Sequence, residues 1–208
     1  MMPGNMSPMY VASLEMTASY MTSGYMGGYG YGYPGEPVTL AAGQVNLVLT
    51  GTSPLNGTGN ALANAITGNN AANVLSGLGG NDNISGLGGN DTLVGGAGKD
   101  TLTGGAGADH FDFNSISESV PGANRDVITD FGSTDKIDLS TIDANSMLSG
   151  NQAFMFMTGT HFTSPGQIYY DASHHILFGN TDGDAAAEFQ IMVNLAGITS
   201  LHSADFIL

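Results

Sequence analysis

The chain has 208 residues, of which 32 are glycine and none is cysteine, and 18 acidic side chains face three basic ones for a formal charge of -15. Such a field disfavours nucleic acid and anionic membrane as partners and attracts cations. The lack of cysteine removes disulfides and thiolate metal sites, and no apolar run is long enough for a transmembrane helix or membrane insertion.

Residues 1–37 are rich in Met, Tyr and Gly (SYMTSGYMGGYGYGYPGEP) and hold no period of two or 3.6, so they read as a flexible low-complexity leader. No Lys or Arg precedes Lys99, so the basic region of an N-terminal secretory signal is missing. Residues 38–58, through VTLAAGQVNLVLT, alternate well enough to predict entry strands.

Residues 59–112 form an array with a period of nine. Asn64, Asn73, Asp82, Asp91, Asp100 and Asp109 keep step with glycines at 59, 68, 77, 86, 95 and 104, and with Ile66, Leu75, Ile84, Leu93, Leu102 and Phe111. The clearest copies read GLGGNDNIS, GLGGNDTLV, GGAGKDTLT and GGAGADHFD. Each copy is expected to spend six residues on a turn and three on a short strand, with glycine at the first and fourth positions because the turn needs φ > 0. Two copies then make one right-handed coil of 18 residues, and coils stack at about 4.8 Å. The eighth position points a large apolar side chain inward. The fold class expected is all-β, a right-handed parallel β-roll (β-helix) of nonapeptide repeats.

Copies 18 residues apart share an edge, so Asp82 pairs with Asp100 and Asp91 with Asp109. Turn carbonyls of Gly77, Gly79, Gly80, Gly86, Gly88, Gly89, Gly95, Gly98, Gly104 and Gly107 complete two sets of hard oxygens. Calcium takes 6–8 such ligands in a flexible geometry, whereas magnesium demands a stiff octahedron. Calcium ions are therefore the expected cofactor. Asn64 and Asn73 are weaker ligands: they either complete mixed sites with Asp82 and Asp91 or form a hydrogen-bonded ladder that binds nothing. Stacked carboxylates without a cation repel one another, so folding is expected to depend on calcium.

Residues 113–208 read as a β-rich C-terminal cap of short segments (DVITDF, DKIDLS, QIYYDA, HILFGN, EFQIMVNL, DFIL), with a short helix expected near Asp143–Ser149. Asp126, Asp130, Asp135 and Asp138 are candidates either for peripheral ligands or for structural turn roles, and turn roles are expected. Asn180-Thr181-Asp182-Gly183-Asp184 echoes the start of an EF-hand loop, but Ile191 replaces the closing Glu, so a hairpin turn is expected. No HExxH, GxSxG or P-loop occurs, and none of the five histidines adjoins a Glu, so no catalytic residues are assigned.

The repeats followed by GADHFDF resemble the haemolysin-type (RTX) calcium-binding family. DVITDFGSTDKIDLSTIDAN, NQAFMF, GQIYYD and SADFIL are similar to the C-terminal domain of serralysin-type metalloproteases, here without the HExxH of the protease. The resemblance implies a roll that continues into a sandwich-like cap. It also implies a bacterial protein secreted by a type I secretion transporter through a signal at Asp205–Leu208. The function expected is a secreted, non-catalytic calcium-binding module. The alternatives are a calcium-dependent, self-associating surface or matrix protein and an accessory module of a separate protease.

Overall fold

The computed structural model describes residues 37–208 and the backbone strand at 15–18. Apart from that strand, residues 1–36 of the leader lie outside the described residues. Strands β1 (Glu15–Ala18), β3 (Asn46–Leu49), β5 (Ala65–Thr67), β7 (Asn83–Gly88), β9 (Thr101–Ala106) and β11 (Asp126–Phe131) stack in parallel along one sheet. Strands β2 (Val38–Thr39), β4 (Gly57–Thr58), β6 (Val74–Gly79), β8 (Thr92–Ala97), β10 (His110–Asp112) and β12 (Lys136–Asp138) stack in parallel along a second. From β2 to β12 successive strands alternate between the sheets, so the chain winds as a roll.

The register turns the nine-residue period into two columns. Leu47, Ile66, Ile84, Leu102 and Ile128 stack in one sheet, and Leu75, Leu93, Phe111, Ile137 and Phe206 in the other. All but Phe206 are fully buried, and each Ile or Leu at this depth contributes roughly 1.5–3 kcal/mol. Gly57 interrupts the second column, and a Cβ there would sit 2.9 Å from Leu47 Cδ2, so the gap lets Leu47 reach across.

The four strands β6 to β9 have six residues each, where three were expected. Pairing continues into the next copy, with Leu78 opposite Gly96 and Leu87 opposite Gly105. The expected boundary after residue 112 interrupts neither sheet: β11 and β12 simply add the next coil, after a longer excursion through residues 114–125.

The cap grows from the same sheets. Strand β16 (Phe189–Leu195) pairs in parallel with β11, then β15 (Ile176–Asn180) and β14 (Gln167–Asp171) follow antiparallel, and β13 (Met155–Met157) closes the edge. Strand β17 (Phe206–Ile207) extends the second sheet beside β12 after a 3-10 turn at Ser203–Asp205. Phe154 meets Phe189 edge to face, and Phe156 stacks on Phe206, joining the cap's layers. The helix expected at Asp143–Ser149 is absent; the segment is turns and bends. Asp143 Oδ1 accepts from the amide of Asn145 and Asn145 Oδ1 from that of Met147, and such local side-chain bonds compete with helix.

Candidate metal centre

The carboxylates lie in two ladders, one along each edge of the roll. On the first, the amide of Asn64 donates to Asp82 Oδ1, that of Asp82 to Asp100 Oδ1 and that of Asp100 to Asp126 Oδ1, each at 2.7 Å. On the second, Asn73 donates to Asp91 (2.8 Å), Asp91 to Asp109 (2.9 Å) and Asp109 to Asp135 (3.0 Å). The rungs are 18 residues apart inside the array and 26 apart at the last step. Each backbone carbonyl is meanwhile held by the strand of the next coil, as when Thr101 N–H donates to Asp82 O. One oxygen of every carboxylate is thus fixed by the preceding coil.

The other oxygen has no such partner. Oδ2 of Asp82, Asp91, Asp100, Asp109 and Asp126 is buried without a hydrogen bond. Leaving a buried acceptor unpaired costs roughly 1–3 kcal/mol, and more for a charged one. Asp135 differs, because the Gly132 amide donates to its Oδ2 at 2.7 Å.

The orphaned oxygens of Asp82, Asp91, Asp100 and Asp109 each face a small cradle at the first glycine of their copy. A Cβ added to Gly77 would overlap Asp82 Oδ2 and lie 2.6 Å from Gly95 O, the carbonyl one coil further on. At Gly86 it would overlap Asp91 Oδ2 and lie 2.7 Å from Gly104 O. Carboxylate and carbonyl oxygens of adjacent coils therefore converge on the space kept open by Gly77 and Gly86. That hard, all-oxygen surrounding fits a calcium-class cation.

This corrects the expectation for the glycines. Positive φ falls at the second and fourth positions of the best copies, at Leu78, Leu87, Gly96 and Gly105, and at Gly80, Gly89, Gly98 and Gly107. The first-position glycines are required for space, not for backbone conformation. Gly98 is required for both: its φ is +146°, and a Cβ would run into Gly80 O of the coil beneath. Gly79 and Gly88 close the strand segments, and the amides of Gly80 and Gly89 donate to the carbonyls of Ala97 and Ala106, at 2.9 Å each.

The two Asn turns are built differently. Asn64 Oδ1 accepts from the Asn60 amide at 2.8 Å and its Nδ2 donates to Asn60 Oδ1 at 3.2 Å. Asn73 Oδ1 accepts from the Asn69 amide at 2.8 Å, and its Nδ2 donates to Leu55 O at 2.7 Å. Both side chains satisfy themselves at donor and acceptor ends, so these turns leave no orphaned oxygen.

Burial pushes the carboxyls of Asp82, Asp91 and Asp100 up to about 6 and that of Asp126 up to about 8, and it raises Asp109 as well. Hydrogen bonds from the preceding coil act the other way, while stacked neighbours add repulsion: Asp109 on Asp91, and Asp82 on Asp100.

Asp126 and Asp135, expected in turn roles, are ladder rungs. The clue in the sequence was the pair Asp126–Ile128 and Asp135–Ile137, which keeps the Asp-x-apolar spacing at nine residues while losing the glycines. Asp130 binds the amides of Gly104 and Gly105 (3.0 and 2.9 Å), and Asp138 holds the turn at Ser140 (2.9 Å). His174 and His175 lie in the β14–β15 turn, His174 Nδ1 being 2.7 Å from Asp171 Oδ2.

Fold and ladder together define an RTX-type β-roll. The family described as Peptidase M10 serralysin C terminal matches residues 59–208, and the chain belongs to that family. The matched part is the C-terminal domain of those proteins, not their protease domain. Among solved structures, the chain is similar to the AlgE6R3 subunit of the Azotobacter vinelandii mannuronan C5-epimerase, at 26% identity and a TM-score of 0.46, over 70% of this chain and 78% of that one. No curated protein matches the chain. No helix among the described residues is long and apolar enough to cross a membrane.

Proposed function

We propose that the chain is a non-catalytic calcium-binding module whose folding is coupled to calcium outside the cell. The observation that carries this reading is the set of five buried carboxylate oxygens without partners, repeated rung by rung. A core of this kind is unfavourable alone and becomes favourable when each orphaned oxygen has a cation to face. Asp82/Asp100 and Asp91/Asp109 would hold calcium with the glycine carbonyls beside them. Asp100/Asp126 would form a third pair, since both carry a free Oδ2. Asn64 and Asn73 act instead as amide staples, which favours the non-ligating alternative for these two residues.

Secretion by a type I transporter, with Asp205–Leu208 in the signal, goes with this reading. A chain exported unfolded, and folded only where calcium is plentiful, would need the ladder that this sequence carries. Calorimetric titration of the purified chain with calcium, with circular dichroism followed in parallel, tests the proposal. At least three ions should bind as β-structure forms; saturation without a gain in structure would overturn the coupling, and no heat at all would overturn the sites.

A further inference from the structure

A second group of acids lies outside both ladders, in the loop between β15 and β16. Oxygens of Asp182, Asp184 and Glu188 come within 4.8 Å of one another. Like charges this close repel, and burial, then the charges of Asp182 and Asp184, raises the Glu188 carboxyl. The ion pairs among the described residues are His174–Asp171 and His202–Asp205, so no basic side chain neutralises the group.

The loop is anchored at both ends. Gly166 N–H donates to Asn180 O and Glu188 N–H to Gly179 O, each at 2.9 Å. Thr181 N–H donates to Glu188 Oε2 at 2.5 Å, and Ser146 Oγ donates to Thr181 O at 2.9 Å.

Asn180 supplies an independent observation. It is fully buried, and its Nδ2 donates to Asp184 O (2.7 Å) and Ala186 O (2.9 Å), which holds its amide inside the same loop. Its Oδ1 is buried and has no partner. The chain thus buries an unpaired acceptor on the residue whose amide is held inside the acidic loop. Asn180, Asp182, Asp184, Ala186 and Glu188 also stand at alternate positions, the spacing with which EF-hand loops present ligands 1, 3, 5, 7 and 9, the seventh through its carbonyl.

We propose that this loop is a cation site separate from the roll, taking a calcium-class divalent ion through the carboxylates of Asp182, Asp184 and Glu188 with Asn180 Oδ1. A bidentate Glu at loop position twelve is replaced by Ile191, so the site is weaker than a full EF-hand. Its place at the tip of a cap hairpin makes it a staple for the sheet edge, whereas the ladder ions lie along the roll.

The test compares the full chain with its Asp182→Asn/Asp184→Asn variant by native mass spectrometry at saturating calcium. The variant should bind one ion fewer while its roll still folds on calcium addition by circular dichroism; an unchanged ion count overturns the proposal. Should the variant fail to fold, the wild-type chain decides: gadolinium in place of part of the calcium should broaden the amide resonances of residues 180–188, and sharp signals there overturn it. Failure of the roll reading would show separately, as β-structure indifferent to calcium.

Discussion

Asp100 stands inside the first ladder, donating its amide to Asp126 and accepting from that of Asp82. Its second oxygen is buried and unpaired, and burial, with the charges of Asp82 and Glu118 behind it, lifts its carboxyl to about 6. Replacing it with Asn keeps the shape and removes the charge, so two opposite effects should appear. In EGTA the Asp100→Asn chain should be more stable by roughly 1–4 kcal/mol, because a desolvated charge is gone. In calcium it should bind ions at least about tenfold more weakly, because two pairs share that residue. Urea unfolding with and without calcium reads both, and a change of the same sign in both conditions would count against the ladder. The glycines carry the same lesson at this scale. Gly77 and Gly86 leave room for oxygens, while Leu78 and Leu87 hold positive φ (74° and 77°) that costs each about 1–2 kcal/mol.

At the scale of elements, each strand of the roll owes its place to one buried residue per copy and one rung per edge. This much was legible in the sequence, because Leu75, Ile84, Leu93 and Leu102 recur at a spacing that only a stacked coil explains. The next coil was not, since residues 114–125 lengthen the step and Asp126 and Asp135 lack the flanking glycines that marked earlier rungs. Nor was the order of the cap: β16 inserts between β11 and β15, a long-range pairing with no local signature. In the ladder the carboxylates could be read from their spacing, whereas the self-satisfied amides of Asn64 and Asn73 depended on bonds to Asn60, Asn69 and Leu55. The last strand combines two roles. Phe206 is buried opposite Ile137, yet Asp205–Leu208 is also the segment expected to carry the export signal. Deleting residues 205–208 should abolish secretion through a type I system while the purified chain still folds in calcium; normal secretion of the truncated chain would remove the export reading.

At the scale of the whole molecule, a charge of -15 and a column of buried carboxylates act in the same direction. Without cations, Asp82, Asp91 and Asp100 titrate at about 6 and Asp126 at about 8, above the ordinary carboxyl value near ~4. Between those values the folded chain holds more protons than the unfolded one, so its stability falls as pH rises from about 4 to about 8. Urea midpoints in EGTA should decline across that window, and a rising midpoint would contradict the burial of these groups as charges.

The most direct test of calcium-coupled folding is far-ultraviolet circular dichroism of the full chain as free calcium is raised from roughly 1 μM to roughly 1 mM at neutral pH. The account predicts a cooperative gain of β-structure that EGTA reverses. A β spectrum already complete in EGTA and unchanged by calcium would contradict it.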